Sequence, residues 1–232
     1  MWCYSIMAKK TNGLVIAIDG PSGAGKSTTA RLLAERLGYI YIDTGAMYRA
    51  IAWKTKQEGI DPSCEDKLSE LCRRTEVTIG HHDGNPKFFV DGRDVSNELR
   101  TPEMGMMASA VSKSPAVRAR LLSLQRELGS CGGVVMDGRD IGTVVFPDAD
   151  VKFYLEAGAE QRGMRRYLEL KAKNMDVDLA RITAEIRERD LQDSGRSIAP
   201  LRQADDALLI DSSNLAINKV LERMLSAIEK VK

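Results

Sequence analysis

Gly20-Pro21-Ser22-Gly23-Ala24-Gly25-Lys26-Ser27-Thr28 is the stretch on which the fold turns. A glycine followed five residues later by Gly-Lys-Ser is the spacing of a loop that wraps the phosphates of a nucleotide. The apolar, β-rich run Leu14–Asp19 precedes it, and Thr28–Leu37 follows with Ala30, Leu33, Ala34 and Leu37 at helical spacing before Gly38. Strand, glycine-rich turn and helix together aim the loop's backbone N–H groups and the positive end of the helix at one anion. The motif assigns Lys26 to the β- and γ-phosphates of a nucleoside triphosphate and the Ser27 hydroxyl to Mg²⁺. An ordinary glycine-rich turn has no use for a Lys-Ser pair at this register.

Outward from the loop, short apolar runs recur at Tyr39–Asp43, Val134–Asp137, Val151–Ala157 and Leu208–Asp211. Several leave neither face polar, as strands of a buried parallel sheet do. Helical stretches lie between them, and Ile217, Val220, Leu221, Met224, Leu225 and Ile228 form the stripe of a helix that covers a sheet face. The alternation predicts an α/β fold with a parallel sheet and right-handed crossovers. Two segments break the rhythm. Val77–Ile79, Phe88–Val90 and Asp91-Gly92 predict a small antiparallel hairpin insert, with His81-His82 in its turn and no metal role for them. Ala159–Arg196 is densely charged and predicts two helices around Lys173-Asn174-Met175-Asp176, a solvated and mobile segment.

Composition narrows the partners. Lys and Arg number 34 against 33 Asp and Glu, so a net charge of +1 gives no global pull toward nucleic acid or an anionic membrane. No apolar run approaches the ~18 residues of a membrane span. Cys3, Cys64, Cys72 and Cys131 contain no Cys-x-x-Cys pair, which suits reduced thiols in a cytosol. Met1–Met7 lacks the charged start and cleavage pattern of a signal peptide and is expected to belong to a flexible extension, residues 1–13. A soluble cytoplasmic protein, a monomer, is expected.

A phosphate loop fixes only triphosphate binding, so a switch GTPase, a motor ATPase and a small-molecule kinase stay open. Guanine readers carry Asn-Lys-x-Asp, whereas Asn218-Lys219-Val220-Leu221 lacks the aspartate and lies in the last helix. Arginines at element ends favour a kinase whose acceptor is itself a phosphate. Arg49 follows the strand Tyr39–Asp43, and Arg139 sits in Asp137-Gly138-Arg139-Asp140 after the strand from Val134, where ligands of open parallel sheets collect. Arg162, Arg165 and Arg166 share a helix face, and Arg189, Asp193 and Arg196 follow at i, i+4 and i+7. A nucleoside monophosphate carries close to about −2 charge near neutrality. Two unit charges ~4 Å apart repel by about 4 kcal/mol at an effective dielectric near 20, so donor and acceptor phosphates need several guanidinium forks between them. An anionic acceptor oxygen needs no general base, so neither Asp137 nor Asp140 is assigned that role.

With these residues in view, the chain resembles the bacterial cytidylate kinases, within the nucleoside monophosphate kinases. The resemblance runs from about Val15 to the C-terminal helix. It rests on Ile18–Ser27, on Asp43-Thr-Gly-Ala-Met-Tyr-Arg49, on Asp137-Gly-Arg-Asp-Ile-Gly-Thr-Val-Val-Phe-Pro147, and on the run from Arg189-Asp190 through Asp193 and Arg196 to Pro200. It implies a P-loop NTPase-type three-layer fold with a central five-stranded parallel sheet, a core of 14–43, 111–158 and 198–232, a CMP-binding insert at 44–110 and a helical lid at 159–197. It implies ATP held by residues 20–28, and CMP contacted by Thr44, Tyr48, Arg49, Ser109, Arg118, Asp137, Arg139, Asp140, Arg189, Asp193 and Arg196. Ser109, Arg118 and Asp140 would read the cytosine, Asp193 the sugar hydroxyls, and Arg49, Arg139 and Arg196 the CMP phosphate. Lys26, Arg139, Arg189 and Arg196 would carry catalysis, and Arg162, Arg165 and Arg166 would touch phosphates from the lid. Read without the resemblance, Ser109 and Arg118 are ordinary helix-surface residues. Thr44 stands where the family commonly has serine, with its hydroxyl kept. A kinase for UMP and a non-catalytic nucleotide switch are the alternatives.

Overall fold

The computed structural model describes residues 13–82 and 85–231. The expected N-terminal extension therefore lies, apart from Gly13, outside the described residues. Along the chain run β1 (Val15–Asp19), α1 (Lys26–Leu37), β2 (Ile40–Asp43), α2 (Thr44–Gln57) and α3 (Glu65–Arg74), then β3 (Val77–His82), β4 (Asn85–Val90) and β5 (Arg93–Asp94). There follow α4 (Pro102–Val111), α5 (Pro115–Gly129), β6 (Val134–Gly138), β7 (Val151–Glu156), α6 (Ala159–Ala172), α7 (Leu179–Ser194), β8 (Leu208–Asp211) and α8 (Ile217–Glu229). The described residues divide into two units, one running to Tyr41 and resuming at Gly129, the other Ile42–Leu128.

The first unit is built on a five-stranded sheet in the order β2-β6-β1-β7-β8. β1 lies at its centre, parallel to β6 and β7, with Ile18 opposite Asp137 and Asp19 opposite Gly138. Ile16, Ala17 and Ile18 are wholly buried, the two-faced burial that a parallel strand between helices demands. Leu33 and Ala30 of α1 and Met224 and Ile228 of α8 pack with Phe153 and Ile18 in one core, so the apolar stripe of the last helix does what its period predicts. α1 starts at Lys26 rather than Thr28, because Gly25 at φ 95° acts as the N-cap and draws Lys26 and Ser27 into the first turn. β6 continues one residue past its expected end to Gly138. Beyond it Ile141–Val145 winds into one π-type turn that no periodicity announces. α6 and α7 flank the turn after Ala172 and share a small core of Leu170, Ile182 and Ile186.

In the second unit, α2 to α5 enclose Met47, Ile51, Leu68, Leu71, Leu99 and Leu121, all buried. The insert is larger and more helical than the hairpin segment alone suggests. β3, β4 and β5 form an antiparallel meander, and Asp91 (φ 50°) and Gly92 (φ 80°) make the left-handed two-residue turn between β4 and β5. β3 runs on through His81 and His82, opposite Pro86 and Asn85, whereas the sequence placed both histidines in the turn. Among the described residues, no helix is long and apolar enough to cross a membrane.

Candidate active site

Gly20 opens the phosphate loop at φ 144°, and a Cβ there would stand 2.0 Å from the Leu155 carbonyl oxygen, so only glycine passes this point. The loop is then held by its carbonyls. Lys26 Nζ donates to Pro21 O at 2.7 Å, Arg162 Nη1 to Ser22 O at 3.0 Å and Thr29 Oγ1 to Gly25 O at 3.0 Å. Ser212 Oγ lies 3.0 Å from Ala24 O, just past the end of β8. Anchoring the carbonyls outward leaves the loop's N–H groups to an anion. Arg162, Thr29 and Ser212 were not nominated for this task. Ser212 was discoverable from its place after a parallel strand, while Arg162 lies too far along the chain for any local pattern to reveal its partner.

Lys26 is buried, and its ammonium is pushed well below the usual lysine range, first by burial and then by Arg139. Asp137 and Asp19 pull the other way, and Arg189 adds to the repulsion. Beside it Ser27 Oγ donates to Asp137 Oδ2 at 2.9 Å, and Tyr41 Oη donates to Asp137 Oδ1 at 2.8 Å. A hydroxyl and a carboxylate are the hard oxygen donors that Mg²⁺ prefers. Asp19, unnoticed in the sequence, is a buried carboxylate whose oxygens accept from Ile141 N at 2.8 Å and Gly142 N at 2.7 Å. Burial pushes it up to about 6 despite those two bonds.

The arginines at element ends converge in this unit. Asp193, fully buried, accepts from Arg139 Nε at 2.8 Å and from Arg196 Nη2. Burial works to raise its carboxyl, but Arg139 and Arg196 prevail and hold it below the usual aspartate range, with Arg189 contributing. Asp140, also buried, caps the π-type turn with its backbone. The face of α6 splits three ways. Arg162 is buried and spends its guanidinium on Asp190 (3.0 and 2.5 Å), Ala157 O (2.7 Å) and Ser22 O. Arg165 donates to Ser212 O at 2.5 Å, and Arg166 to Glu169 at 2.8 Å.

The remaining nominated residues lie in the second unit. Asp43 caps α2 by accepting from Ala46 N at 2.8 Å, and its other oxygen receives Arg49 Nη2 at 2.9 Å. Thr44, in the first turn, is buried. The Arg118 guanidinium stands 5.9 Å over the ring of Tyr48, and Ser109 and Arg118 are both buried, not the surface residues their spacing suggests. Among the described residues the buried Ser109 Oγ and Arg49 Nε find no hydrogen-bond partner. A polar group left so is a place where a polar ligand is expected.

The geometry can be set beside known proteins. The cytidylate kinase family model matches residues 16–230. A cytidylate kinase of Syntrophotalea carbinolica is 55% identical over 93% of this chain and 92% of its own. One of Geobacter sulfurreducens is 53% identical over 94% of each chain. Among solved structures, a shikimate kinase from Bacteroides thetaiotaomicron superposes with a TM-score of 0.50 at 12% identity, covering 93% of this chain and 98% of that one, a likeness of fold alone. With near-complete matches of this strength, the chain belongs to the cytidylate kinase family and is a phosphotransferase.

Proposed function

We propose that the protein transfers the γ-phosphoryl group of ATP in line to the phosphate of CMP, and to that of dCMP, giving ADP and the diphosphate. The observation that carries this is the gathering of Arg139 and Arg196 on Asp193, with Arg189 near enough to act on both Asp193 and Lys26. Such a cluster supplies the cations that let two phosphates approach. Lys26, with residues 20–28, takes the donor phosphates, and Arg139, Arg189 and Arg196 take the transferring group and the acceptor. Magnesium, arriving with ATP, supplies charge neutralisation, and Ser27, bonded to Asp137, is the residue that would hold it. Among the described residues no cluster of three or more His, Cys, Asp or Glu makes a cage of its own, in keeping with a metal that keeps waters and substrate oxygens as ligands.

CMP phosphate ionises in water, so no residue removes a proton, and Asp137 and Asp140 act as hydrogen-bond partners. In the second unit Arg49 and Thr44 serve the CMP phosphate, Tyr48 backs Arg118, and Ser109 and Arg118 with Asp140 read the cytosine. Asp193 takes the sugar hydroxyls. Residues 159–197 act as the lid that excludes water, and Arg162 reaches a phosphate only by giving up Asp190 or Ser22 O. The setting we propose is a monomer in the cytoplasm acting on free nucleotides of pyrimidine metabolism, and the balanced charge gives no global pull toward nucleic acid or an anionic membrane. An ADP-release assay across CMP, dCMP, UMP and AMP tests this. Turnover should be fastest with the cytidine nucleotides, and equal rates with AMP and CMP would defeat the assignment.

A further inference from the structure

Asp19 takes no part in the reaction just described, yet its placement is specific. It ends β1 immediately before Gly20 of the phosphate loop, and it sits opposite Gly138 in the neighbouring strand. The chain leaving that strand is therefore fixed at Gly138 by the sheet. Three residues further on it is fixed again, because Ile141 N and Gly142 N each donate to one oxygen of the Asp19 carboxylate, at 2.8 and 2.7 Å. Between the two tethers lie only Arg139 and Asp140. Arg139 spans the gap, its Nη1 donating to Gly138 O at 3.3 Å and its Nε to Asp193 at 2.8 Å. The fit around the second tether is close, since a Cβ on Gly142 would meet Lys152 Cδ at 3.1 Å and Asp19 Oδ2 at 3.4 Å.

We infer that Asp19 is a positioning residue for phosphoryl transfer, clamping Ile141 and Gly142 so that Arg139 is held in fixed register with the phosphate loop. The inference rests on the assignment of Arg139 to the acceptor. A carboxylate is required because two amides need two acceptors. An asparagine of the same shape offers one oxygen and turns an N–H₂ toward the second amide, which releases it. Misplacement by about 1 Å is enough to cost rate when charge must be stabilised at a defined point.

The test is a double-mutant cycle on the full chain, using kcat and KM for CMP and for ATP. Asp19→Asn should lower kcat/KM for CMP about 10-fold while KM for ATP stays within about 2-fold. In an Arg139→Ala background the same change should cost less than about 2-fold, because the residue it serves has gone. An equal cost in both backgrounds, or a rise in KM for ATP matching that for CMP, overturns the inference. Arg139→Ala without effect on CMP turnover overturns the acceptor assignment itself and is seen before Asp19 is altered. If Asp19→Asn does not fold, the wild-type protein decides. The Ile141 and Gly142 amide protons, followed by NMR on acidification, should move through one shared midpoint as the carboxylate between them takes up its proton. Asp140 and Lys26 are the other charges acting on that group. Movement of one amide alone, or of neither, overturns the clamp.

Discussion

At the scale of single residues, the site concentrates charge where water does not reach. Lys26 is almost wholly enclosed, and burial, Arg139 and Arg189 together push its ammonium well below the usual lysine range against the opposing pull of Asp137 and Asp19. Lys26→Ala should therefore remove at least about 100-fold of kcat, the scale of one donor in a desolvated anion site. Circular dichroism should show the fold retained, and near-full turnover would contradict the assignment. Asp19 gives a second expectation, this one in stability. Its folded pKa of about 6 lies above the ordinary 3.8, so between those values the folded state binds the extra proton. Its charge is thus a burden that grows as pH rises toward 6 and is complete above it, at most about 3 kcal/mol. Urea midpoints of the wild type should fall between about pH 4 and 7 by more than those of Asp19→Asn. Parallel curves would show that Asp19 does not titrate there.

At the scale of elements, the regular pieces follow from short-range pattern. β8 occupies Leu208–Asp211 as its apolar run predicts, and α8 buries Val220, Leu221, Met224 and Ile228, four of the six residues in its predicted stripe. Met224 is fully buried against the sheet, so Met224→Ala should cost about 2–5 kcal/mol in a denaturant titration and leave KM values unchanged at low temperature. The phosphate loop was legible for the same reason, since its chemistry lies within nine consecutive residues. What pattern could not show is anything depending on a distant partner. Arg162 looks like a lid cation in the sequence, yet its geometry is set by Asp190 and by Ser22, 140 positions away. Ser109 and Arg118 have polar side chains on helices, which periodicity alone assigns to solvent, and only the packing of α4 and α5 buries them. The π-type turn after Asp140 has no periodic signal, and its stabilising acceptor, Asp19, lies 122 residues earlier.

At the scale of the molecule, the described residues separate well-buried sheet and helix cores from a pair of charged helices with little core of their own. Leu170, Ile182 and Ile186 alone form the buried centre of α6 and α7, and Leu168 and Leu191 on those helices stay exposed. Local opening should therefore be cheapest there. Limited trypsin digestion, read by mass spectrometry, should cut first around Lys171 and Lys173, at the exposed turn where Asn174 takes φ 56°. ATP analogue and CMP together should slow that cut more than either alone, since ligands that bind the closed form stabilise it by mass action. A first cut within the β3–β5 meander would instead place the weakest region in the second unit.

The carbonyl anchoring of the phosphate loop has a consequence for how this gene product tolerates change. Ser22 is half-buried, and what Arg162 holds there is its backbone carbonyl, an anchor that any residue at the position supplies. A saturation library at position 22 should thus contain many active clones. The same library at position 162 should contain few, because no other side chain can fork to Asp190 while reaching two carbonyls. The spelling of the loop and the shape of the loop are guarded at different addresses.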